Sequence, residues 1–440
     1  TIALLAGPIL VNNVATAGMA FVDTLMIGRL GTQDLAAVAV GATCLNVFYL
    51  GGLGLLMSLS PLVAHAYGGG RDALVGGYLR QALWLAAGLS IVALAALLAT
   101  HPALLAIGIA PAVATLAARY VRAASLGLPA LFMFLALRFS SEGIGWTRPI
   151  LFTALIALGV KILGNYLLIY GRLGLPALGA VGCGVVSSIA DVVILGVMLM
   201  YMRRHARYRP FALFARFEWP DATKLREILA LGIPIGGSVL AEGALFASAA
   251  LIVGGFGATM MAAHAIAINY AWIMFTVPLS LHSATTIHVG HRLGRADVAA
   301  GRFAGWVGIA LCAAVMAVSA VVLVLARAHI AALYTHDPAV LRIAARLLLF
   351  AAAFQIADGT QVGSSGALRG FKDARVPLFI STTSYWLVAF PFAYYFGVVR
   401  QGGAYAVWTG LVAGLSLCAL LLVMRYEFIA RRTGSQRASR

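Results

Sequence analysis

Residues 1–28 read TIALLAGPILVNNVATAGMAFVDTLMIG, an apolar run in which Asp23 is the single charged side chain. At roughly 1.5 Å of rise per residue, a helix of this length crosses the ~30 Å hydrocarbon layer of a bilayer. The run lacks the basic flank that opens a cleavable signal, so it reads as a permanent span. Eleven further apolar stretches follow, at about 43–66, 79–100, 120–141, 149–170, 178–202, 228–254, 260–289, 303–326, 343–366, 376–397 and 404–425. Their Gly- and Pro-rich interiors fit close-packed or bent helices, whereas a membrane barrel would alternate over ten-residue segments. The expected fold is therefore an all-α polytopic membrane protein with twelve transmembrane helices. The composition agrees, since 62% of the 440 residues are hydrophobic and 10% charged, against about 25% charged in soluble chains.

Basic residues set the expected orientation. The connection RRHARYRPFALFARFEWPDATKLR at 203–226 carries Arg203, Arg204, Arg207, Arg209, Arg216, Lys224 and Arg226, which places it in the cytoplasm. An even number of spans then puts both termini there, in a bacterial cytoplasmic (inner) membrane. The net charge of +17 reads as topology and contact with anionic membrane lipids. Nucleic acid is not an expected partner, because no basic stripe is interleaved with aromatics on a soluble module. Cys44, Cys183, Cys312 and Cys418 are isolated in apolar segments and read as buried small hydrophobes, and the histidines form no ligand set.

The two halves resemble each other. LGTQDLAAVAVG from Leu30 aligns with FGATMMAAHAIA from Phe256, AYGGGRDALVGGYLRQALWL from Ala66 with HRLGRADVAAGRFAGWVGI near His291, and SSEGIGWTRPILF from Ser140 with SSGALRGFKDARVPLF from Ser364, at a shift of roughly 224 to 226. Six spans per half give two repeats of the same orientation. The expected organisation is an N-lobe at 1–202, a basic linker at 203–227, a C-lobe at 228–426 and a basic cytoplasmic tail at 427–440. Two such lobes are the construction of a secondary transporter. No G-x-x-x-x-G-K-[ST] segment is present, so coupling is expected from an ion gradient, and no enzyme or organic cofactor is implied.

Only 14 Asp and Glu are present, yet Asp23, Glu142, Asp191, Glu242 and Asp358 lie in or at the mouths of apolar stretches. An acid at that depth must be paired, protonated or turned to a wet cavity. Asp23, Glu242 and Asp358 are the candidate ion-coupling residues. Asn165, Ser187 and Asp191 form a candidate polar site in the N-lobe. Glu242 and Asp358, converging from the seventh and tenth spans, are placed to share a proton or a Na+ ion. Glu142, beside Gly143, Gly145 and Arg148, reads instead as a salt-bridge or helix-end residue. Phe48, Tyr49, Trp272, Phe275, Phe354, Gln355 and Tyr385 are candidates to line a cavity for planar organic cations, which ring faces attract. The Gly-rich runs at 51–54 and 68–70 read as packing sites and turns. A lipid or polysaccharide-precursor flippase is the alternative, and it predicts Arg and Lys in the interior; the sequence offers Lys161 there.

GMAFVDTLMIGRLGTQDLAAVAVG in the first span, GVKILGNYLLIYG and PALGAVGCGV around the fifth and sixth, Glu242, and GSSGALRGFKD after Asp358 together resemble the multidrug and toxic compound extrusion (MATE) family, in its NorM-type bacterial branch. The resemblance covers essentially the whole chain. It implies two six-helix bundles forming a V around a central cleft, and antiport of lipophilic, often cationic drugs and dyes against inward H+ or Na+ by a monomer. Asp23 then corresponds to the family's N-lobe acid, Asn165 to an N-lobe polar position, and Glu242 with Asp358 to the C-lobe acidic pair. Two positions depart from the pattern: Phe354 stands where some relatives carry a tyrosine, and Ile169 where some proton-linked relatives carry an acid. Both coupling ions therefore remain open.

Overall fold

The computed structural model describes residues 2–213 and 217–438, with side chains to residue 434. Arg216 of the basic linker and the end of the tail lie outside the described residues. Everything long is helical. The spans are α1 (Ile2–Gly28), α2 (Thr32–Gly68), α3 (Asp72–Leu97), α4 (Pro111–Ser125 with Leu128–Gly143), α5 (Arg148–Tyr170), α6 (Gly179–Arg204), α7 (Ala222–Gly254), α8 (Ala258–Gly294), α9 (Val298–Tyr334), α10 (Pro338–Gly370), α11 (Arg375–Val399) and α12 (Gly403–Gly434). Hydrocarbon offers no partner for backbone N–H and C=O groups, so each crossing segment satisfies them within a helix.

The fourth span, expected at about 120–141, begins earlier, at Pro111, and is built of two helical pieces. α4 bends by 47° at Leu126–Gly127. Pro129 has no N–H and its ring crowds the carbonyl one turn back. At Gly127 an added Cβ would lie 2.6 Å from Asp191 Oδ2 and 2.7 Å from Ser188 Cα, so α6 occupies the bend. Several helices also extend beyond the apolar runs, because their ends continue into polar flanks at the membrane surface. α11 contains two π-helical turns, Ser384–Ala389 and Tyr395–Val399.

The chain forms two compact units, Gly7–Gly236 and Gly237–Arg440, the latter completed by Thr1–Ala6. In the first unit small residues let helices approach closely. Gly164 of α5 faces Val186 of α6, Gly184 of α6 meets the Tyr120 carbonyl of α4, and Gly54 of α2 abuts the Gly236 Cα of α7. The glycines at 51–54 thus include packing positions, as expected.

The second unit is organised around α10. Gly359, Gly363, Gly366 and Gly370 make a stripe along it at spacings of four, three and four, which is one helix face. An added Cβ would come within 2.8 Å of the Cys312 carbonyl oxygen at Gly359 and of Ile309 Cα at Gly363, both on α9. On α8 it would come within 2.7 Å of the His282 carbonyl oxygen at Gly366 and 2.6 Å of Val289 Cβ at Gly370. α10 can therefore be enclosed by its neighbours, and the polar residues beside the stripe are enclosed with it. Trp408 of α12 is fully buried, its indole N–H 3.1 Å from His264 Nδ1 of α8. Cys183, Cys312 and Cys418 are buried and unpaired, Cys44 partly so.

The segment after α6 is folded onto the first unit. A short 3-10 helix, Ala206–Phe211, is fixed by Tyr208, whose hydroxyl lies 2.6 Å from Ser141 Oγ. Arg80 of α3 donates to the Ala212 carbonyl at 2.9 Å and to Glu218 at 2.8 Å. Gln81 donates to the Trp219 carbonyl and accepts from the Asp221 N–H. α7 then begins at Ala222, inside the stretch read as linker, because Asp221 accepts from the Thr223 N–H and caps it. The Lys224 ammonium and that N–H hold the Asp221 carboxyl below its usual range. Arg80→Ala would remove the donor to the Ala212 carbonyl and to the Glu218 carboxylate, an expected loss of about 1–3 kcal/mol. A lower melting temperature in detergent, with faster proteolysis near residues 212–221, is the outcome to look for.

Candidate functional site

Both units hold buried polar side chains. In the first, Asp23 of α1 faces Lys161 and Asn165, which lie four residues apart on α5 and hence on one face. Lys161 Nζ donates to Asp23 Oδ2 at 2.6 Å and to Ser187 Oγ of α6 at 2.7 Å. Asn165 Nδ2 donates to Asp23 Oδ1 at 2.6 Å. Lys161 and Asn165 are buried, while the Asp23 side chain keeps 18% of its surface. One turn on, the Tyr170 hydroxyl donates to the Met26 carbonyl at 2.8 Å and ties α5 to α1. Three of the expected N-lobe residues, Asp23, Asn165 and Ser187, thus come together, and Lys161 joins them. Asp191 stands at the bend of α4, within electrostatic reach of Lys161.

Glu142 is fully buried and pairs with Arg138, one turn earlier on α4, at 2.8 Å. The salt bridge expected at Glu142 is present, with Arg138 as its partner. With its amide oxygen turned to the guanidinium, Asn12 accepts from both Arg138 Nη atoms at 3.2 Å. Tyr49 of α2 is within electrostatic reach of Arg138 and Asp191.

In the second unit Asp358 of α10 is 2% exposed, and its Oδ1 has no hydrogen-bond partner. Glu242 of α7, half-buried, is within electrostatic reach of Asp358 and of Arg369. Gln355, one turn before Asp358, accepts from Ser319 Oγ of α9 at 3.0 Å. Gln361, three residues after it, donates to the Tyr385 hydroxyl, while Gln361 Oε1 is left without a partner. The cluster therefore contains buried oxygens able to accept a proton or to ligate a monovalent cation. Among the described residues no group of three His, Cys, Asp or Glu is arranged to hold a metal ion.

The expected aromatic cavity residues separate. Phe48 and Tyr49 are half-buried on α2, and the exposed Trp272 stacks on Phe275 of the same helix at 5.6 Å. Phe354, Gln355 and Tyr385 are buried in the second unit, none more than 3% exposed. Phe354 packs edge-on between Phe246 and Trp408, and Tyr385 is held by Gln361. The reading of Lys161 as the interior base is also incomplete, because Arg369 is buried as well and Arg138 is largely enclosed. The i,i+4 spacing of Arg138 with Glu142 was the available signal for the second. Asn165→Ala removes the donor to Asp23 Oδ1 and is expected to destabilise by about 1.5–3 kcal/mol, as for a hydrogen bond to a charged group. Thermal unfolding in detergent measures it.

An all-helical, multi-pass membrane protein with a repeated half and a cluster of buried polar groups in each unit belongs to the class of secondary transporters. The MatE family pattern matches residues 8–167 and again 234–395, starts separated by the spacing of the internal repeat. The chain belongs to the MatE family. It is 40% identical over 432 residues to the "Probable multidrug resistance protein NorM" of Xanthomonas axonopodis pv. citri, covering 98% of this chain and 94% of the relative. It is 38% identical over 434 residues to "Multidrug resistance protein PmpM" of Pseudomonas aeruginosa, covering 97% and 91%. The fold matches the crystal structure of the eukaryotic MATE transporter AtDTX14 with a TM-score of 0.88 at 17% identity, over 99% of this chain and 98% of that one.

Proposed function

We propose that the protein exports lipophilic, often cationic drugs and dyes across the bacterial cytoplasmic membrane in exchange for inward H+ or Na+, by alternating access. The observation that carries the coupling role is Asp358, buried on α10 with one carboxylate oxygen unpartnered and Glu242 within electrostatic reach. A proton or a monovalent cation stabilises two such acids, and its departure leaves repulsion that a cationic substrate relieves. The names of the Xanthomonas and Pseudomonas relatives support drugs as the substrate class. The basic linker supports cytoplasmic termini.

The flippase alternative requires buried cations presented to anionic headgroups. The buried and partly buried bases described here lie beside acids: Lys161 with Asp23, Arg138 with Glu142, Arg80 with Glu218, and Arg369 near Glu242. That charge balance favours cationic substrates.

Purified protein in vesicles should drive ethidium uptake under an imposed ion gradient. Asp358→Asn and Glu242→Gln should each lower that rate at least about tenfold, the factor set by roughly 1.4 kcal/mol of lost coupling, while keeping the wild-type elution profile. Robust gradient-driven transport by both variants would refute the assignment. Transport under Na+ alone marks the acidic pair as a cation site; transport under a proton gradient alone marks it as a protonation site.

A further inference from the structure

Asp23 is not an open carboxylate. Its two oxygens are taken by Lys161 Nζ and Asn165 Nδ2, each at 2.6 Å. A cation approaching this acid must compete with one already attached to the protein. Lys161 has the means to leave, being a compact charge on a flexible four-carbon stem. It already contacts Ser187 Oγ at 2.7 Å, and a second acid, Asp191, is within electrostatic reach. Asp191 stands where α6 fills the bend of α4. Lys161 thus holds one acid in direct contact and has a second, on another helix, within electrostatic reach.

We propose that Lys161 is a tethered counter-cation that closes Asp23 in the substrate-free first unit and turns toward Asp191 when a proton or a cationic substrate takes Asp23. This rests on the reading above that the substrate is cationic. Lys161 thereby acts as a positioning and selectivity residue: it excludes cations that bind a carboxylate more weakly than an ammonium does, and it keeps the pocket from carrying a bare negative charge. The groups facing the pair are Tyr120 from α4, Asn165 from α5, and Cys183, Ser187 and Asp191 from α6. Asp23 and Asp191 are the acids among them.

The test is equilibrium binding of tetraphenylphosphonium to the purified full chain in detergent. Lys161→Met should bind about tenfold more tightly than wild type, the scale of one charge-assisted hydrogen bond removed from competition. Lys161→Arg should resemble wild type, and adding Asp23→Asn to Lys161→Met should erase the gain. Asp191→Asn should weaken binding severalfold in the wild-type background and change nothing in Lys161→Met. If Lys161→Met does not fold, Lys161→Gln, which keeps a donor for Asp23 and Ser187 without the charge, carries the same expectation. A folded Lys161→Met or Lys161→Gln that binds no more tightly than wild type overturns the proposal, as does wild-type binding indifferent to Asp191→Asn. Loss of gradient-driven transport by the wild type with these binding shifts intact would instead defeat the antiport reading and leave the role of Lys161 standing.

Discussion

Inside hydrocarbon there is no water to solvate a peptide group, and this governs everything else in the molecule. Once each crossing segment is helical, association between segments depends on how closely their surfaces fit, because lipid tails are as apolar as leucine. The glycine stripe on α10 answers that demand: with no side chains on one face, α8 and α9 close over it. Burial of Asp358, Gln355 and Gln361 follows from that enclosure. The bend in α4 works similarly, since Gly127 admits α6 and so fixes where Asp191 stands.

The same absence of water makes every buried charge seek a partner within the protein. The two units meet this requirement differently. In the first, Asp23 is saturated by a lysine and an amide. In the second, Asp358 retains an oxygen with no donor beside it, and its neighbour Glu242 is another acid. A duplicated scaffold therefore carries two chemically distinct polar clusters, one whose acid is paired with a base and one whose acid keeps an unpartnered oxygen.

Much of this was readable from residue order. Twelve apolar runs, the repeat and the acids within the spans follow from composition and spacing, because hydrocarbon thickness and the cost of a buried carboxylate leave few alternatives. Partners were harder. On a helix that is apolar all round, no polar face marks which way Lys161 or Arg138 turns, so their pairing with Asp23 and Glu142 required the packing itself. The packing of Phe354 against Phe246 and Trp408, and of Tyr385 against Gln361, was likewise illegible, because an aromatic in a span has the same signature whether it faces core, lipid or ligand. α7 starts earlier than its apolar run because Asp221 caps a first turn of polar residues, which hydropathy alone does not register.

The partition of the chain does not follow the beginnings of its two repeats' first helices. The opening residues through Ala6 group with the second unit, and α7 up to Gly236 groups with the first. Pro8 and Pro234 lie at matching places in these two helices, each close to where its helix passes from one unit to the other. In each repeat the opening segment of the first helix thus groups with the unit built from the other repeat, so neither repeat's residues alone complete a unit.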